Sequence, residues 1–336
     1  MLLLGALAVL SVWLWTPDVP RATLEARYLA APTDMRQVGL WKLHVRDSGP
    51  PRNPAHGMAN TQTNTQANDR AITNTNTSAS ASAQAMAATD PPAVLMLHGF
   101  GASLQTWDAW AEGLAATHRV VRIDLPGSGL SPPDPAHDYR DERSLQLLLA
   151  LLDDLGLPSV SLVGHSMGGR IAWTFAARHP ERTDQLVLVA PDGYASFGFE
   201  YGQAMDVPAS LSLMRHVLPK PLLRMNLKSA YAQPELLSDA VTTRYHDLIL
   251  APGARQAMLD RLAQTVLQEP EPLLRQIQAP TLLVWGEADA MIPVGNARDY
   301  LQAITGSRLV SWPRVGHLPQ EEAAQATLQA VIGFLR

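Results

Sequence analysis

Val160-Ser161-Leu162-Val163-Gly164-His165-Ser166-Met167-Gly168-Gly169-Arg170 is the stretch on which the fold turns. Residues 160–164 are a short apolar run of strand character, and from Met167 to His179 the pattern becomes that of an amphipathic helix. Between them stands a Gly-x-Ser-x-Gly. At a strand-to-helix junction this forces a sharp turn that lifts the Ser166 oxygen above the edge of a sheet. Gly164 and Gly168 let the arms of the turn pack closely, and the helix N-terminus favours negative charge developing beside Ser166. The same spacing occurs in ordinary glycine-rich turns, and its place at a strand end argues for the catalytic reading.

Five further runs flank it: 93–98 (AVLMLH), 120–124 (VVRID), 185–190 (QLVLVA), 280–285 (PTLLVW) and 308–311 (RLVS). Runs this continuously apolar suit strands covered on both faces of a parallel sheet. Helical patterns lie near 103–117, 141–155, 167–179, 294–304 and 320–335. The alternation predicts an α/β chain, with an open, mostly parallel sheet, right-handed crossovers and helices on both faces. Residues 38–46 (VGLWKLHVR) alternate in polarity and predict an antiparallel edge strand that opens the sheet. The rhythm breaks between Tyr194 and Gln278, where helical patterns near 209–217, 221–228, 234–250 and 253–268 are punctuated by prolines. That interval is too long for an αβ loop and predicts a helical cap inserted over 195–278.

Loops at the carboxyl ends of these strands carry the remaining chemistry. Acyl transfer to a Ser needs two backbone N–H donors for the oxyanion. The candidates are Met167, just after the nucleophile, and Phe100, in the His98-Gly99-Phe100-Gly101 loop. His98 precedes that donor and reads as a structural loop histidine. Residues 124–131 (DLPGSGLS) lack the Lys of a phosphate-binding loop and the G-x-G-x-x-G of a dinucleotide site, and read as a structural turn beside the site. Asp289, in GEADAMIP (286–293), stands at the carboxyl edge of the sheet, where catalytic groups gather. Asp192 is the competing carboxylate and reads as a turn residue, and Glu287 reads as exposed. His317, between the last strand and last helix, can take the Ser166 proton while Asp289 holds its tautomer. His44, His118, His179, His216 and His246 join no constellation, and His165 is the variable position of the turn.

The chain has 336 residues, ample for a large core, with formal net charge −5 and no Cys. Absence of Cys excludes disulfides, Cys-ligated zinc, iron–sulfur clusters and thiol nucleophiles. The sequence predicts no cofactor and no metal, and its mildly acidic balance argues against nucleic acid as a partner. The charged fraction is only 17% because two unusual segments dilute it. Residues 1–15 (MLLLGALAVLSVWLW) are apolar but for Ser11; as a helix they span about 22 Å, short of the ~30 Å hydrocarbon core. Trp13 and Trp15 sit where an interfacial belt would lie, and Pro17-Asp18 ends the run. We read 1–19 as a single N-terminal membrane anchor, with a cleaved secretory leader (and a secreted or periplasmic product) or a core helix as the other readings. Arg21, Arg27, Arg36 and Lys42 follow it and nothing basic precedes it, which favours a cytoplasmic domain without fixing the side. Residues 50–92 are dominated by Asn, Thr, Gln, Ser and Ala without apolar period; such a segment cannot bury enough surface to offset ordering entropy and reads as a disordered insertion.

The order Ser166, Asp289, His317 is that of one superfamily of serine hydrolases. With the HGFG, DLPGSGLS, GHSMGG, GEADAMIP and GHLP segments, the chain resembles the α/β-hydrolase superfamily from about 38 to 336. The leader and the residues after it, Trp15-Thr16-Pro17-Asp18 and Leu24-Glu25-Ala26-Arg27-Tyr28, resemble membrane-anchored bacterial members. The resemblance implies an eight-stranded sheet within an α/β-hydrolase domain at 36–336, interrupted by the 50–92 insertion and the 195–278 cap. Similar haloalkane dehalogenases and soluble epoxide hydrolases carry Asp at the nucleophile position; Ser166 points instead to acyl transfer. The expected function is hydrolysis of carboxylic esters of apolar acyl groups, of carboxylesterase or monoacylglycerol-lipase type, through an acyl-Ser166 intermediate. Leu211, Leu213, Met214, Leu222, Leu223, Met225, Tyr231 and Leu236 are expected to line the acyl pocket. Expected partners are a small apolar ester or lipid and, through the leader, a membrane. Two alternatives stand beside it: a C–C bond hydrolase of vinylogous diketones using the same triad, and a non-catalytic membrane-tethered binding protein. C–C hydrolases carry an aromatic beside the catalytic His and a fuller Gly-Pro oxyanion loop, where this chain has Leu318 and Gly101-Ala102.

Overall fold

The computed structural model describes residues 14–50, 91–195, 200–204 and 206–336. The chain enters through helix α1 (Arg21–Tyr28) and the strands β1 (Met35–Val38), β2 (Trp41–Ser48) and β3 (Ala93–Leu97). Next come α2 (Asp108–Leu114), β4 (Arg119–Ile123), α3 (Asp141–Asp154), β5 (Val160–His165), α4 (Met167–Arg178) and β6 (Thr183–Val189). Helices α5 (Ala209–Ser212), α6 (Lys220–Lys228), α7 (Asp239–Ile249), α8 (Ala254–Gln264) and α9 (Glu271–Leu274) intervene before β7 (Thr281–Gly286). The chain closes with α10 (Asn296–Ala303), β8 (Arg308–Trp312), α11 (Pro319–Glu322) and α12 (Ala324–Leu335).

The eight strands make one sheet in the order β1-β2-β4-β3-β5-β6-β7-β8. Pairing is antiparallel at β1–β2 and β2–β4 and parallel from β4 to β8. The period of two sorts the apolar runs between two cores. Val94, Met96, Val163, Val187 and Val189 face α2 and α12, packing with Trp110, Leu114, Leu328 and Val331. Leu95, Leu97, Leu162, Leu186 and Leu188 face α3 and α4, packing with Leu148, Leu151, Ile171 and Phe175. Both sets are buried, which is why these strands carry apolar residues on both faces rather than in strict alternation.

Several boundaries differ from the sequence reading. The single edge strand expected at 38–46 is a hairpin: β1 pairs with β2, Val38 opposite Trp41, and Gly39 turns the chain at φ 54°. Residues 209–217 break after Ser212 into a 3-10 turn at Leu213–Arg215. Residues 234–250 divide into a 3-10 turn at Pro234–Leu236 and α7, whose first turn is capped by Ser238 accepting from the Val241 N–H at 3.1 Å. The final helix is interrupted at Ala323, with φ −131°.

The expectation of a membrane-anchored protein is corrected. Among the described residues no helix is long and apolar enough to cross a membrane. Residues 1–13, most of the expected anchor, lie outside the described residues, as do 51–90 of the expected disordered insertion. The chain directly after residue 13 lies along the helical insertion. Trp15 stacks on His216 at 4.9 Å, the Thr16 N–H donates to the His216 carbonyl at 2.8 Å, and the Val19 N–H donates to the Leu250 carbonyl at 2.8 Å. Arg255 pairs with Asp18 at 2.6 Å, and Arg27 and Tyr28 reach Asp247 at 2.7 and 2.8 Å. A boundary at residue 19 would therefore cut through a docked segment.

Candidate active site

Ser166 occupies the junction of β5 and α4 at φ 52° and ψ −120°. For a residue other than glycine this backbone costs about 1–3 kcal/mol, and the surroundings must impose it. They do so by hydrogen bonds: the Ser166 N–H donates to the Val189 carbonyl at 3.0 Å, and its carbonyl accepts from Arg170 and Asp192 N–H groups at 3.0 Å each. Close approach needs glycine at two places. A Cβ on Gly168 would lie 2.4 Å from the Leu97 carbonyl oxygen, so α4 can meet the end of β3 only without a side chain there. A Cβ on Gly99 would lie 2.7 Å from His165 Nδ1 and 3.2 Å from the Ser166 Cβ, which puts the 98–101 loop directly against Ser166.

That loop is tight: the Ala102 N–H donates to the Gly99 carbonyl at 3.2 Å, leaving Phe100 and Gly101 at its corner. Phe100 is 39% exposed and lines the cavity above Ser166. Met167 is buried and opens α4, where first-turn N–H groups have no intrahelical acceptor.

His317 Nδ1 donates to Asp289 Oδ2 at 2.8 Å. The other carboxylate oxygen accepts from the Met291 and Ile292 N–H groups at 2.8 and 2.9 Å. With Nδ1 protonated, Nε2 of His317 is the basic nitrogen, and His317 and Ser166 line the same cavity. The backbone of His317 is held at both ends. Its N–H donates to the Ala230 carbonyl at 2.7 Å, and its carbonyl accepts from His165 Nε2 at 2.8 Å, with the two rings 4.7 Å apart. Burial, then the neighbouring His317, hold the His165 imidazole well below its ordinary 6.5. A neutral His165 with its proton on Nε2 thus steadies His317, a contact the sequence reading missed because 152 residues separate the two.

The remaining candidates are structural. His98 donates from Nδ1 to the Gly99 carbonyl at 2.7 Å and accepts at Nε2 from the Leu125 N–H at 3.0 Å. Asp192 pairs with Arg170 at 3.1 Å, and Glu287 is exposed. His44, read as joining no constellation, is a correction: its Nδ1 meets Asp124 Oδ2 at 2.7 Å with both side chains fully buried. Asp124 also accepts from the Leu104 and Leu130 N–H groups at 2.7 and 2.8 Å, bracing the loops on either side.

A cavity of about 270 Å³ opens over Ser166 and His317. Of the residues expected to line it, Leu211, Met214 and Leu223 do. Leu213, Leu222, Met225 and Leu236 are exposed, and Tyr231 packs in a separate cluster with Ala230, Leu237 and Leu318. Leu218, Ile249, Met258, Leu262 and Met291 are among the other apolar residues of the wall, and its polar members are His165, Ser166, Asn226, Tyr245 and His317. Among the described residues no Lys or Arg lines it. Such a chamber can hold an uncharged apolar group with a carbonyl at the Ser166 end.

A sequence profile of the alpha/beta hydrolase fold family matches residues 92–324. The chain is 32% identical over 246 residues to the dihydrolipoyllysine-residue acetyltransferase component of the acetoin cleaving system of Pseudomonas putida, covering 72% of this chain and 63% of that one. It is 30% identical over 253 residues to 2-hydroxy-6-oxononadienedioate/2-hydroxy-6-oxononatrienedioate hydrolase 2 of Pseudomonas putida, covering 72% and 87%. In structure it is similar to a meta-cleavage product hydrolase from Pseudomonas fluorescens IP01, with TM-score 0.65, 19% identity, and 88% and 94% of the two chains covered.

Proposed function

Since the chain belongs to the alpha/beta hydrolase fold family and is an enzyme of the hydrolase kind, we propose that it cleaves carboxylic esters of apolar acyl groups. Ser166 attacks the carbonyl carbon while Nε2 of His317 takes its proton, and Asp289 holds the imidazole and stabilises the imidazolium. The Phe100 and Met167 N–H groups receive the oxyanion. The alcohol leaves with the proton from His317, and water activated by the same imidazole releases the acid from acyl-Ser166. The observation that carries this reading is the cavity wall beside Ser166 and His317, mainly apolar and, among the described residues, without Lys or Arg.

The second reading is hydrolysis of a C–C bond in a vinylogous diketone. Similarity to the Pseudomonas putida hydrolase and its kin supports this reading more strongly than it supports an ester hydrolase. By its printed name that relative acts on a dioate, a substrate with two carboxylates. A buried anion without a partner is strongly disfavoured, and among the described residues the wall of this cavity offers no Lys or Arg to pair with one. The deciding experiment sets a p-nitrophenyl ester series of increasing acyl length against a vinylogous diketone acid. The ester reading predicts a higher kcat/KM on the best ester, rising with acyl length; a higher kcat/KM on the diketone would replace it with the C–C reading.

A further inference from the structure

Glu321 stands four residues beyond His317, on α11, with its side chain only 10% exposed. Its carboxylate is where three parts of the molecule meet. Oε1 accepts from the hydroxyls of Thr106 and Tyr245 at 2.6 and 2.7 Å. Oε2 accepts from the Tyr231 hydroxyl at 3.0 Å and from the Arg244 guanidinium at 3.2 Å. Thr106 lies between the 98–101 loop and α2, Tyr231 follows α6, and Arg244 and Tyr245 belong to α7. A carboxylate this buried is costly unless its acceptor sites are filled, and here four donors fill them.

The same elements hold the residues around His317. Tyr231 adjoins Ala230, whose carbonyl takes the His317 N–H. Glu322 accepts from the Gly316 N–H and, at 3.0 Å, from the Gln233 N–H. The Gln233 side chain donates to the Arg314 carbonyl at 3.1 Å. Tyr245 itself lines the cavity. The turn after α6, the His317 loop and one wall of the cavity are therefore tied together, and Glu321 hydrogen-bonds at once to Thr106 before α2, to Tyr231 after α6 and to Tyr245 of α7.

We propose that Glu321 is a positioning residue that locks α7 and the turn after α6 onto the loop carrying His317, setting the place of the imidazole and the shape of the cavity together. This rests on the reading of Ser166 and His317 as nucleophile and base. Burial and then the Glu321 charge push the Tyr245 hydroxyl well above its ordinary 10.0, so it remains a donor. Replacing Glu321 by Gln removes the charge and turns one acceptor oxygen into a donor. That amide then faces either the Thr106–Tyr245 pair or the Tyr231–Arg244 pair, and Arg244 has no acceptor capacity to adapt.

The test compares wild type, Glu321→Gln and Tyr231→Phe in three measurements: the labelling rate with a small fluorophosphonate, kcat and KM on short- and long-chain esters, and folding by circular dichroism. Because displacement of a reacting group by about 1 Å can cost on the order of 10²-fold, Glu321→Gln is expected to slow labelling and kcat on both esters by about tenfold or more. Tyr231→Phe, which removes one donor, should act in the same direction by a smaller factor. Wild-type labelling and kcat in folded Glu321→Gln, with only the long-chain KM or thermal midpoint changed, would overturn the proposal by reducing Glu321 to a structural anchor. If Glu321→Gln does not fold, Tyr231→Phe decides, and unchanged labelling there overturns it. Labelling that persists in Ser166→Ala would instead overturn the underlying catalytic reading, an outcome separate from these.

Discussion

Asp289 and His317 come from different loops, yet Asp289 Oδ2 and His317 Nδ1 stand 2.8 Å apart, and both Asp289 oxygens are occupied. The Met291 and Ile292 N–H groups fix the carboxylate, which in turn fixes the imidazole. Asp289→Asn keeps the shape while offering an amide to Nδ1, which favours the tautomer with the proton on Nε2. We expect kcat on a p-nitrophenyl ester to fall on the order of 10³–10⁴-fold with little change in KM. A loss below tenfold would remove Asp289 from the mechanism.

Gly99 has no room for a methyl group, which would press on His165 Nδ1 at 2.7 Å and the Ser166 Cβ at 3.2 Å. Gly99→Ala should displace the Phe100 N–H from the oxyanion position and reduce kcat on the order of 10²-fold. Overpacking of this kind costs about 1–3 kcal/mol of stability, readable by urea denaturation. Activity within threefold of wild type would show that the 98–101 loop does not serve the oxyanion.

Leu211 is half-buried on α5 and lines the cavity far along the chain from the catalytic loops. Leu211→Trp should shorten the accepted acyl chain: KM for long-chain esters rises while short-chain kcat/KM stays near wild type. An equal loss on both chain lengths would mean that this wall does not hold the acyl group.

Acid should weaken the fold in two stages. Burial lowers the imidazoles of His98 and His165 below 6.5, His165 strongly. A depressed folded value means the unfolded chain binds more protons, so this contribution is present above pH 6.5 and is lost as pH falls below it. For Asp124, burial alone would raise the carboxyl, but the facing His44, then His98 and the Leu104 N–H, outweigh it and hold the group below 3.8. Its contribution is present above pH 3.8 and is lost at lower pH. Thermal midpoints measured from pH 8 downward should stay level, then decline below about 6.5 as ordinary imidazoles protonate in the unfolded chain. His165→Gln should flatten that first decline, and an identical slope in the variant would contradict the assignment.

The strands and the loops that carry Ser166, Asp289 and His317 were legible because their signals are local. Both faces of β3, of β5 and of Leu186–Val189 in β6 are covered, so these stretches are mainly apolar on both faces, and the chemistry-bearing residues follow them within a few positions. Contacts made across the chain were not legible. His44 meets Asp124 over 80 residues, and nothing in either neighbourhood announces the other. The cavity wall was half legible for a related reason. On α6, Leu222 and Met225 face outward while Leu223 faces in, and composition cannot say which face of a short helix docks. The anchor expectation rests on the composition of residues 1–15 alone; among the described residues no helix is long and apolar enough to cross a membrane, and Thr16 and Val19 bond to the helical insertion.

The most direct test of the catalytic account is to react the folded protein with a fluorophosphonate and locate the adduct by peptide mass spectrometry. One adduct per chain is expected, on Ser166, with labelling abolished in Ser166→Ala and slowed on the order of 10³-fold or more in His317→Ala. An adduct on another residue, or labelling at the wild-type rate without His317, would contradict it.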